Sequence, residues 1–343
     1  MIALLRKIAK PFSLLYGGVT TVRNALYDKD ILKSTRFDTP IINVGNLSVG
    51  GTGKTPHIEY LVRLLQDNYR VATLSRGYKR KTKGFLLADE NATVLTIGDE
   101  PYQYFQKFKK IQVAVCEKRV EGVRRLLLNK NKPDVVLLDD AFQHRQIQAG
   151  LTILLTPYND LFVDDSLLPS GNLRESKVGA ARAQLIIVTK CPAVLSEKEQ
   201  FEIAKKLNVQ LTQTVYFSII TYDTFIYNKV LEKIALKDLF GKKVTLVTGI
   251  ANPKPLLSFL EDNKIVINHL EFSDHHHFSS QDISVILEAE SSVIITTEKD
   301  FMRLKDKIKT KLYYLPIQVA IINNEVDFNL RIKKYVEQST GNR

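Results

Sequence analysis

The stretch PIINVGNLSVGGTGKTP, residues 40–56, decides the reading of this chain. A β-branched run (Ile41, Ile42, Val44) leads into a glycine-rich turn, and the turn into a helix expected to begin near Thr55. Strand, glycine-rich turn and helix in that order make a phosphate-binding loop, here Ser48, Val49, Gly50, Gly51, Thr52, Gly53, Lys54 and Thr55. The glycine N–H groups cradle a polyphosphate at the positive end of the helix. Lys54 is then placed to reach the β- and γ-phosphates, and the Thr55 hydroxyl to ligate Mg²⁺. One departure stands in the G-x-x-x-x-G-K-[ST] pattern: its first glycine is Ser48.

Around this loop, apolar strands alternate with helical stretches. Strands are expected at 40–45, 70–75, 93–98, 111–116, 134–139, 151–156 and 184–189, with helices at 55–67, 100–108, 117–129 and 174–182. That rhythm indicates βαβ units and a doubly wound, mostly parallel sheet of the P-loop NTPase kind, spanning residues 38–212. Two short strands, 214–221 and 224–231, read as a linker within 213–235. A second alternating block, 236–343, predicts a smaller α/β domain with strands at 243–248, 264–270, 292–296 and 312–316 and helices at 253–262, 279–290 and 326–338.

Further motifs converge on phosphoryl transfer. VVLLDDAFQHR (135–145) is a hydrophobic strand ending in two carboxylates, the Walker B pattern, in which Asp139 or Asp140 serves the metal. Gln143, His144 and Arg145 come next and face the same cleft. GDEP (98–101) sets Asp99 and Glu100 where a carboxylate takes a proton from an attacking hydroxyl or holds the metal; a helix start at Pro101 is the plainer reading of the same residues. SDHHHF (273–278) is the one histidine cluster. Consecutive histidines share no helix face, so a single catalytic histidine oriented by an acid is favoured over a chelating trio. Arg76, Arg119 and Arg174 are candidates for binding substrate phosphate or neutralising transition-state charge.

The 343 residues, 44% hydrophobic, suffice for two cores. Cys116 and Cys191 fit neither a zinc site nor a disulfide framework, which points to a reducing compartment. No apolar run approaches the length of a membrane span, and no signal peptide is evident. A net charge of +12 calls for an acidic partner. In residues 1–37 seven basic residues face two acidic ones, interleaved with Phe12, Leu14, Leu15, Tyr16, Val19 and Val22 and broken by Pro11 and Gly17-Gly18. This pattern suits helices lying in an anionic membrane surface, or else a helix packed on the domain with its basic face solvated. A P-loop GTPase acting as a metal chaperone is the principal alternative, although Thr189-Lys190-Cys191-Pro192 lacks the Asn and Asp of the guanine reader. No aromatic–basic motif supports a nucleic-acid partner.

Taken in order, PIINVGNLSVGGTGKTP, LSRGYKR (74–80), GDEP, DDAFQHR (139–145), LLPSGNLRE (167–175), TGIANP (248–253), FSDHHHF (272–278) and TTEKDFMRL (296–304) resemble the tetraacyldisaccharide 4′-kinase family over nearly the whole chain. The resemblance implies two α/β/α domains joined by a two-stranded linker, and a monomer. It implies transfer of the γ-phosphate of ATP, with Mg²⁺, to the 4′-hydroxyl of an acylated disaccharide 1-phosphate, a lipid A precursor. The setting it implies is the cytoplasmic face of the bacterial inner membrane, touched by the N-terminal helix. By matched position, Lys54 and Thr55 hold phosphates and metal, and Asp139 and Asp140 form the acidic metal site, with Glu100 beside it. Asp99 matches the family's base and His275 its dyad partner, while Arg119, Gln143, His144 and Arg174 match positions around the cleft.

Overall fold

The computed structural model describes residues 6, 9–274, 276–289 and 291–340. Two sheets organise them. The larger has nine strands: β1 (Ile41–Asn46), β2 (Val71–Ser75), β3 (Leu86–Leu87), β4 (Gln112–Val115), β5 (Val135–Asp139), β6 (Leu151–Pro157), β7 (Leu185–Thr189), β8 (Thr214–Tyr222) and β15 (Ile317–Ile321). Their spatial order is β15-β8-β7-β6-β1-β5-β2-β4-β3. All neighbours pair in parallel except β3 and β15 at the two edges. The chain leaves β1 toward β2 on one side and later reaches β6 on the other. The carboxyl end of β1 is therefore a topological switch point, where open α/β sheets bind ligands.

Strands β1, β2, β5 and β7 are buried at every position, as near-continuous apolar runs covered on both faces must be. One face is covered by α2 (Lys54–Leu65) and α4 (Asp99–Lys107), the other by α5 (Arg119–Leu127). Residues 93–98, expected as a strand, instead contain the one-turn helix α3 (Val94–Ile97). Thr93 and Thr96 form a capping box, and that local pairing overrides the β-branched composition. Residues 177–182 form a 3₁₀ turn, and α6 (Glu197–Lys206) comes after β7.

The smaller sheet has the order β10-β9-β14-β13-β11-β12, with β9 (Phe225–Tyr227), β10 (Lys233–Ala235), β11 (Lys243–Thr248), β12 (Val266–Glu271), β13 (Ile294–Thr297) and β14 (Leu312–Leu315). It carries α7 (Lys254–Asp262), α8 (Ser280–Glu288) and α9 (Glu298–Leu304). The two short strands expected at 214–221 and 224–231 as a linker do not pair with each other. β8 pairs antiparallel with β15, running Ile317↔Tyr222 to Ile321↔Ser218, while β9 joins the smaller sheet. Residues 317–340 thus return to the larger sheet, unlike the expected undivided block 236–343. Outgoing β8 and returning β15 cross between the sheets side by side.

The last helix, α10 (Glu325–Thr340), packs where this return places it. Phe328, 1% exposed, meets Tyr216 of β8 edge-on at 5.1 Å and Tyr60 of α2 at 5.8 Å. The Tyr335 hydroxyl donates to the Ile41 carbonyl at 3.0 Å and accepts from the Ile41 N–H at 3.1 Å. The closing helix is therefore part of the core behind the phosphate loop. Phe328→Ala is expected to destabilise the protein by about 3–5 kcal/mol, read as a lower urea midpoint; a midpoint within error of wild type would show that α10 packs only superficially.

At the other end, α1 (Lys10–Asp28) is one continuous helix. Pro11 sits in its first turn, where a missing N–H costs nothing. Gly17-Gly18 do not break it, and at Gly17 an added Cβ would lie 2.6 Å from Leu167. No helix of the described residues is long and apolar enough to cross a membrane.

Candidate active site

The β1–β5 ladder pairs Val44 with Asp139, and the Asp140 N–H donates to the Val44 carbonyl at 3.0 Å. That register sets the acidic pair beside the start of the glycine loop. Gly50 (φ 112°) and Gly53 (φ 89°) take left-handed conformations that turn the loop tightly into α2. The loop is also zipped to a second segment: the Val49 N–H donates to the Asn172 carbonyl at 2.8 Å, and the Arg174 N–H to the Leu47 carbonyl at 2.8 Å.

Lys54 Nζ lies 3.7 Å from Asp140 Oδ1 and donates to Asn46 Oδ1 at 3.3 Å. Arg174 grips both Asp140 oxygens, at 2.8 and 3.2 Å, and also reaches the side-chain and main-chain oxygens of Asn46. Asp140 itself has φ 51°, which swings its carboxylate off the strand and onto these cations. Burial works to raise the Asp140 pKa, but Lys54 and Arg174 outweigh it and hold the carboxyl below the usual range.

Asp139 is treated differently. It is buried and accepts only hydroxyls, from Tyr104 at 3.2 Å and Ser75 at 3.3 Å. Burial, then the Asp140 charge, push its pKa up to about 6. A desolvated carboxylate with hydroxyl neighbours, of which Tyr104 is also hydrogen-bonded with Thr55, is a hard-oxygen donor set suited to Mg²⁺, which is usually held by one or two carboxylates together with phosphate oxygens. Among the described residues no group of three or more His, Cys, Asp or Glu side chains is arranged to hold a metal alone.

A second layer supports this centre. Gln143 donates to the Asn46 carbonyl and to Glu175 Oε1, each at 3.0 Å. Glu175, 3% exposed, also takes Arg182 at 2.9 Å and Asn24 of α1 at 2.7 Å. Helix α1 is stitched to the same loops by Tyr16 to the Arg174 carbonyl (2.7 Å) and Arg23 to the Gln143 carbonyl (2.9 Å). Arg119, 2% exposed, donates to the Cys116 carbonyl at 2.6 Å and the Asp139 carbonyl at 3.4 Å. It bears on the site through its charge and its hold on the end of β5, and burial lowers its pKa to about 10. Arg76 is exposed on the loop after β2. Burial, with Arg119 and Arg76, lowers the His144 pKa to about 4, leaving a neutral imidazole at the cleft.

Asp99 and Glu100 open α4, so a helix does begin in GDEP, but with Gly98 as its N-cap and two residues before Pro101. The Asp99 carboxylate is gripped by Arg303 of α9, so first and second sheets meet at this residue. Glu100 is half-buried, and its charge helps raise Asp139. His275, expected to partner Asp99, lies outside the described residues. Of its neighbours, His276 Nε2 is 3.0 Å from Asp282 and Asp274 is 3.3 Å from Lys299. Beside the Asp99 contact, Lys107 of α4 bridges buried Glu59 of α2 at 2.7 Å and Glu298 of α9 at 2.6 Å. Burial and the Glu59 charge push the Glu298 pKa up to about 7, while the two carboxylates raise that of Lys107 against the effect of burial.

Asn46, Tyr104, Glu175 and Arg303 escape sequence reasoning. Asn46, inside the opening motif, and Tyr104, in the mixed stretch DEPYQYFQK, are uncharged and carry no chemical signature, and Glu175 and Arg303 stand within matched motifs without a role suggested by spacing.

A phosphate loop, an acidic strand end beside it and clustered cations, on a doubly wound sheet, define a P-loop phosphotransferase. The family profile described as Tetraacyldisaccharide-1-P 4'-kinase matches residues 5–337, and the chain belongs to that family. It is 53% identical to the tetraacyldisaccharide 4′-kinase of Flavobacterium johnsoniae over 98% of both chains. It is 46% identical to that of Bacteroides thetaiotaomicron, over 97% of this chain and 93% of the other. The crystal structure of LpxK from Aquifex aeolicus in complex with ATP superposes with a TM-score of 0.79 at 31% identity, covering 98% of this chain and 99% of that one. These likenesses favour the kinase over the metal-chaperone GTPase.

A carboxyl whose folded pKa stands near 6 against an ordinary 3.8 binds its proton more tightly when folded. It therefore favours folding below about pH 4 and loses that contribution as pH rises through 6. Asp139→Asn should accordingly stabilise the nucleotide-free protein at pH 7.5 by on the order of 2 kcal/mol, the gain vanishing near pH 4, while abolishing phosphoryl transfer. Thermal melts at the two pH values check this; a destabilised variant at pH 7.5 would overturn the desolvated-carboxylate reading.

Proposed function

We infer that this chain transfers the γ-phosphate of ATP to the 4′-hydroxyl of a tetraacyldisaccharide 1-phosphate. The observation that carries it is the convergence of Lys54, Arg174 and the Asp139–Asp140 pair at the carboxyl ends of β1 and β5, in a chain of this family. Lys54 and the loop N–H groups bind the β- and γ-phosphates, and Arg174 is positioned to balance charge on the transferring group. Thr55 and Asp139 are the residues that would hold Mg²⁺; when bound, the ion neutralises phosphate charge. Asp140, already neutralised by two cations, orients them instead.

A sugar hydroxyl is a weak nucleophile near neutral pH, so a base beside it helps. Asp99, supported by His275, takes that role in this reading. Arg303 fixes its carboxylate on the first sheet's side of the cleft. Most of the acceleration comes from positioning and charge complementarity. His144, being neutral, is suited to hydrogen-bond the acceptor sugar without competing for phosphate.

Helix α1 brings the site to the lipid. One face is tied to residues 143–175; on the other, Phe12 (63% exposed), Leu14 (78%), Leu15 (71%), Val19 (71%) and Val22 (61%) face solvent. Tyr16 belongs to the tied face rather than to the apolar one. The two sequence-level readings of this segment are two faces of one helix. Acyl chains leave a bilayer at about 0.8 kcal/mol per CH₂, so an enzyme docked peripherally on the cytoplasmic face of the inner membrane, with its cleft at headgroup level, meets its acceptor there.

Incubation with γ-labelled ATP, Mg²⁺ and tetraacyldisaccharide 1-phosphate in detergent should yield a labelled bisphosphorylated lipid. Lys54→Ala should abolish it, and Asp99→Ala should lower turnover at least a hundredfold with ATP affinity unchanged. ATP hydrolysis without lipid product would sink the acceptor assignment; normal turnover in Asp99→Ala would remove that residue from the chemistry. Separately, the double substitution Leu14→Glu with Leu15→Glu should reduce co-sedimentation with anionic liposomes roughly tenfold or more, leaving ATP affinity intact. Equal sedimentation would mean that α1 is a packing helix only.

A further inference from the structure

Behind the phosphate loop, three consecutive carbonyls are each taken by a side chain. Lys190 Nζ donates to the Gly51 carbonyl at 2.6 Å, Thr189 Oγ1 to the Thr52 carbonyl at 2.9 Å, and His57 Nδ1 to the Gly53 carbonyl at 2.7 Å. A peptide group is planar and trans, so its C=O and the next residue's N–H point in opposite directions. Fastening the carbonyls of residues 52 and 53 from behind therefore aims the N–H groups of Gly53 and Lys54 the other way, while the Thr52 N–H is held by the Gly50 carbonyl at 3.1 Å. A loop rich in glycine needs such external fixing, because glycine itself imposes little conformational restriction.

His57 is the most committed of the three. It is 3% exposed, on the first turns of α2, and its Nε2 lies 3.0 Å from the Ser218 hydroxyl, itself fully buried in β8. A carbonyl oxygen only accepts, so Nδ1 must carry the proton. The helix's own backbone bond to the Gly53 carbonyl, from the His57 N–H, is long at 3.3 Å. The imidazole supplies the shorter hold.

We propose that His57 is a positioning residue for the nucleotide: with Thr189 and Lys190 it clamps the loop carbonyls so that the Gly53 and Lys54 N–H groups are presented to the polyphosphate before ATP arrives. This rests on reading residues 48–55 as the ATP phosphate cradle. A released Gly53 peptide is free to turn its oxygen toward the phosphates, and the ordering of the loop is then charged against binding.

Asparagine and glutamine separate the two contacts of the ring. An Asn amide nitrogen occupies the place of Nδ1, and a Gln amide nitrogen that of Nε2. Titration calorimetry with ATP and Mg²⁺, without acceptor, should give His57→Asn an affinity within about threefold of wild type, and His57→Gln one weaker by roughly five- to tenfold, although Gln still reaches Ser218, its amide N–H now donating to the hydroxyl oxygen. Equal affinities for both, or the reverse order, would overturn the clamp and leave His57 a packing residue. Should either variant fail to fold, the wild-type ring is read directly by nitrogen NMR of labelled histidine. A protonated Nδ1 supports the clamp and an unprotonated one overturns it. Wild-type protein that binds no ATP brings down the phosphate-cradle reading along with this inference, whereas ATP binding with an unaltered His57→Gln affinity overturns the inference alone.

Discussion

The parallel register between β1 and β5 is the constraint on which the rest of the site depends. With Val44 beside Asp139, both strands finish at the same edge, and the loops leaving their carboxyl ends meet there. Side chains alternate faces along a strand, so a slip of one residue would turn Asp139 away from Tyr104 and Ser75. The same register gives two adjacent aspartates opposite surroundings. Asp139, last in the strand, is sunk among hydroxyls. Asp140, turned by a left-handed backbone, lies under Lys54 and Arg174. One desolvated carboxylate and one neutralised by cations amount to a division of labour that two identical side chains owe entirely to backbone geometry.

The second sheet bears on this centre through α9, and it does so by charge. Arg303 meets Asp99 and Glu298 meets Lys107, with Glu59 of the phosphate-loop helix completing the latter group. Burial, and after it the negative charge of a second carboxylate around the same lysine, make Glu298 resist ionisation. Breaking one partner of such a group leaves the others uncompensated. The junction is therefore selective about the arrangement it accepts, and it communicates directly with the helix that carries Lys54.

The sequence was most legible where chemistry and local structure coincide. GGTGKT after a β-branched run named strand, turn and helix together, and the hydrophobic run ending in Asp139-Asp140 identified its neighbour strand. Legibility failed where partners are remote. β15 pairs with β8 across the whole second sheet, so no local signal marks it, and the short strand expected at 224–231 was the nearest available partner. The strand expected at 93–98 failed for the opposite reason, since a Thr93–Thr96 capping box settles the matter within one turn. Among candidate site residues, Lys54, Asp139, Asp140 and Arg174 stood out by charge and motif, whereas Glu175 and Arg303, charged and within motifs as well, did not. Asn46 and Tyr104, uncharged residues without a signature of their own, acquire their roles only once β1, β5 and α4 are packed together.

The return of β15 and α10 to the first sheet also orders events in time. Roughly a hundred residues separate the end of β8 from β15, so at a synthesis rate of about 5–20 residues per second the larger sheet waits on the order of ten seconds for its edge strand and for the helix that holds Ile41 through Tyr335. During that interval the ribosome displays a nucleotide fold with β8 unpaired on one side and the apolar surface that will receive Phe328 uncovered. The growing chain is thus most vulnerable to mispairing while its second unit is being made. Assembly of the nucleotide fold is completed from the carboxyl end, last of all.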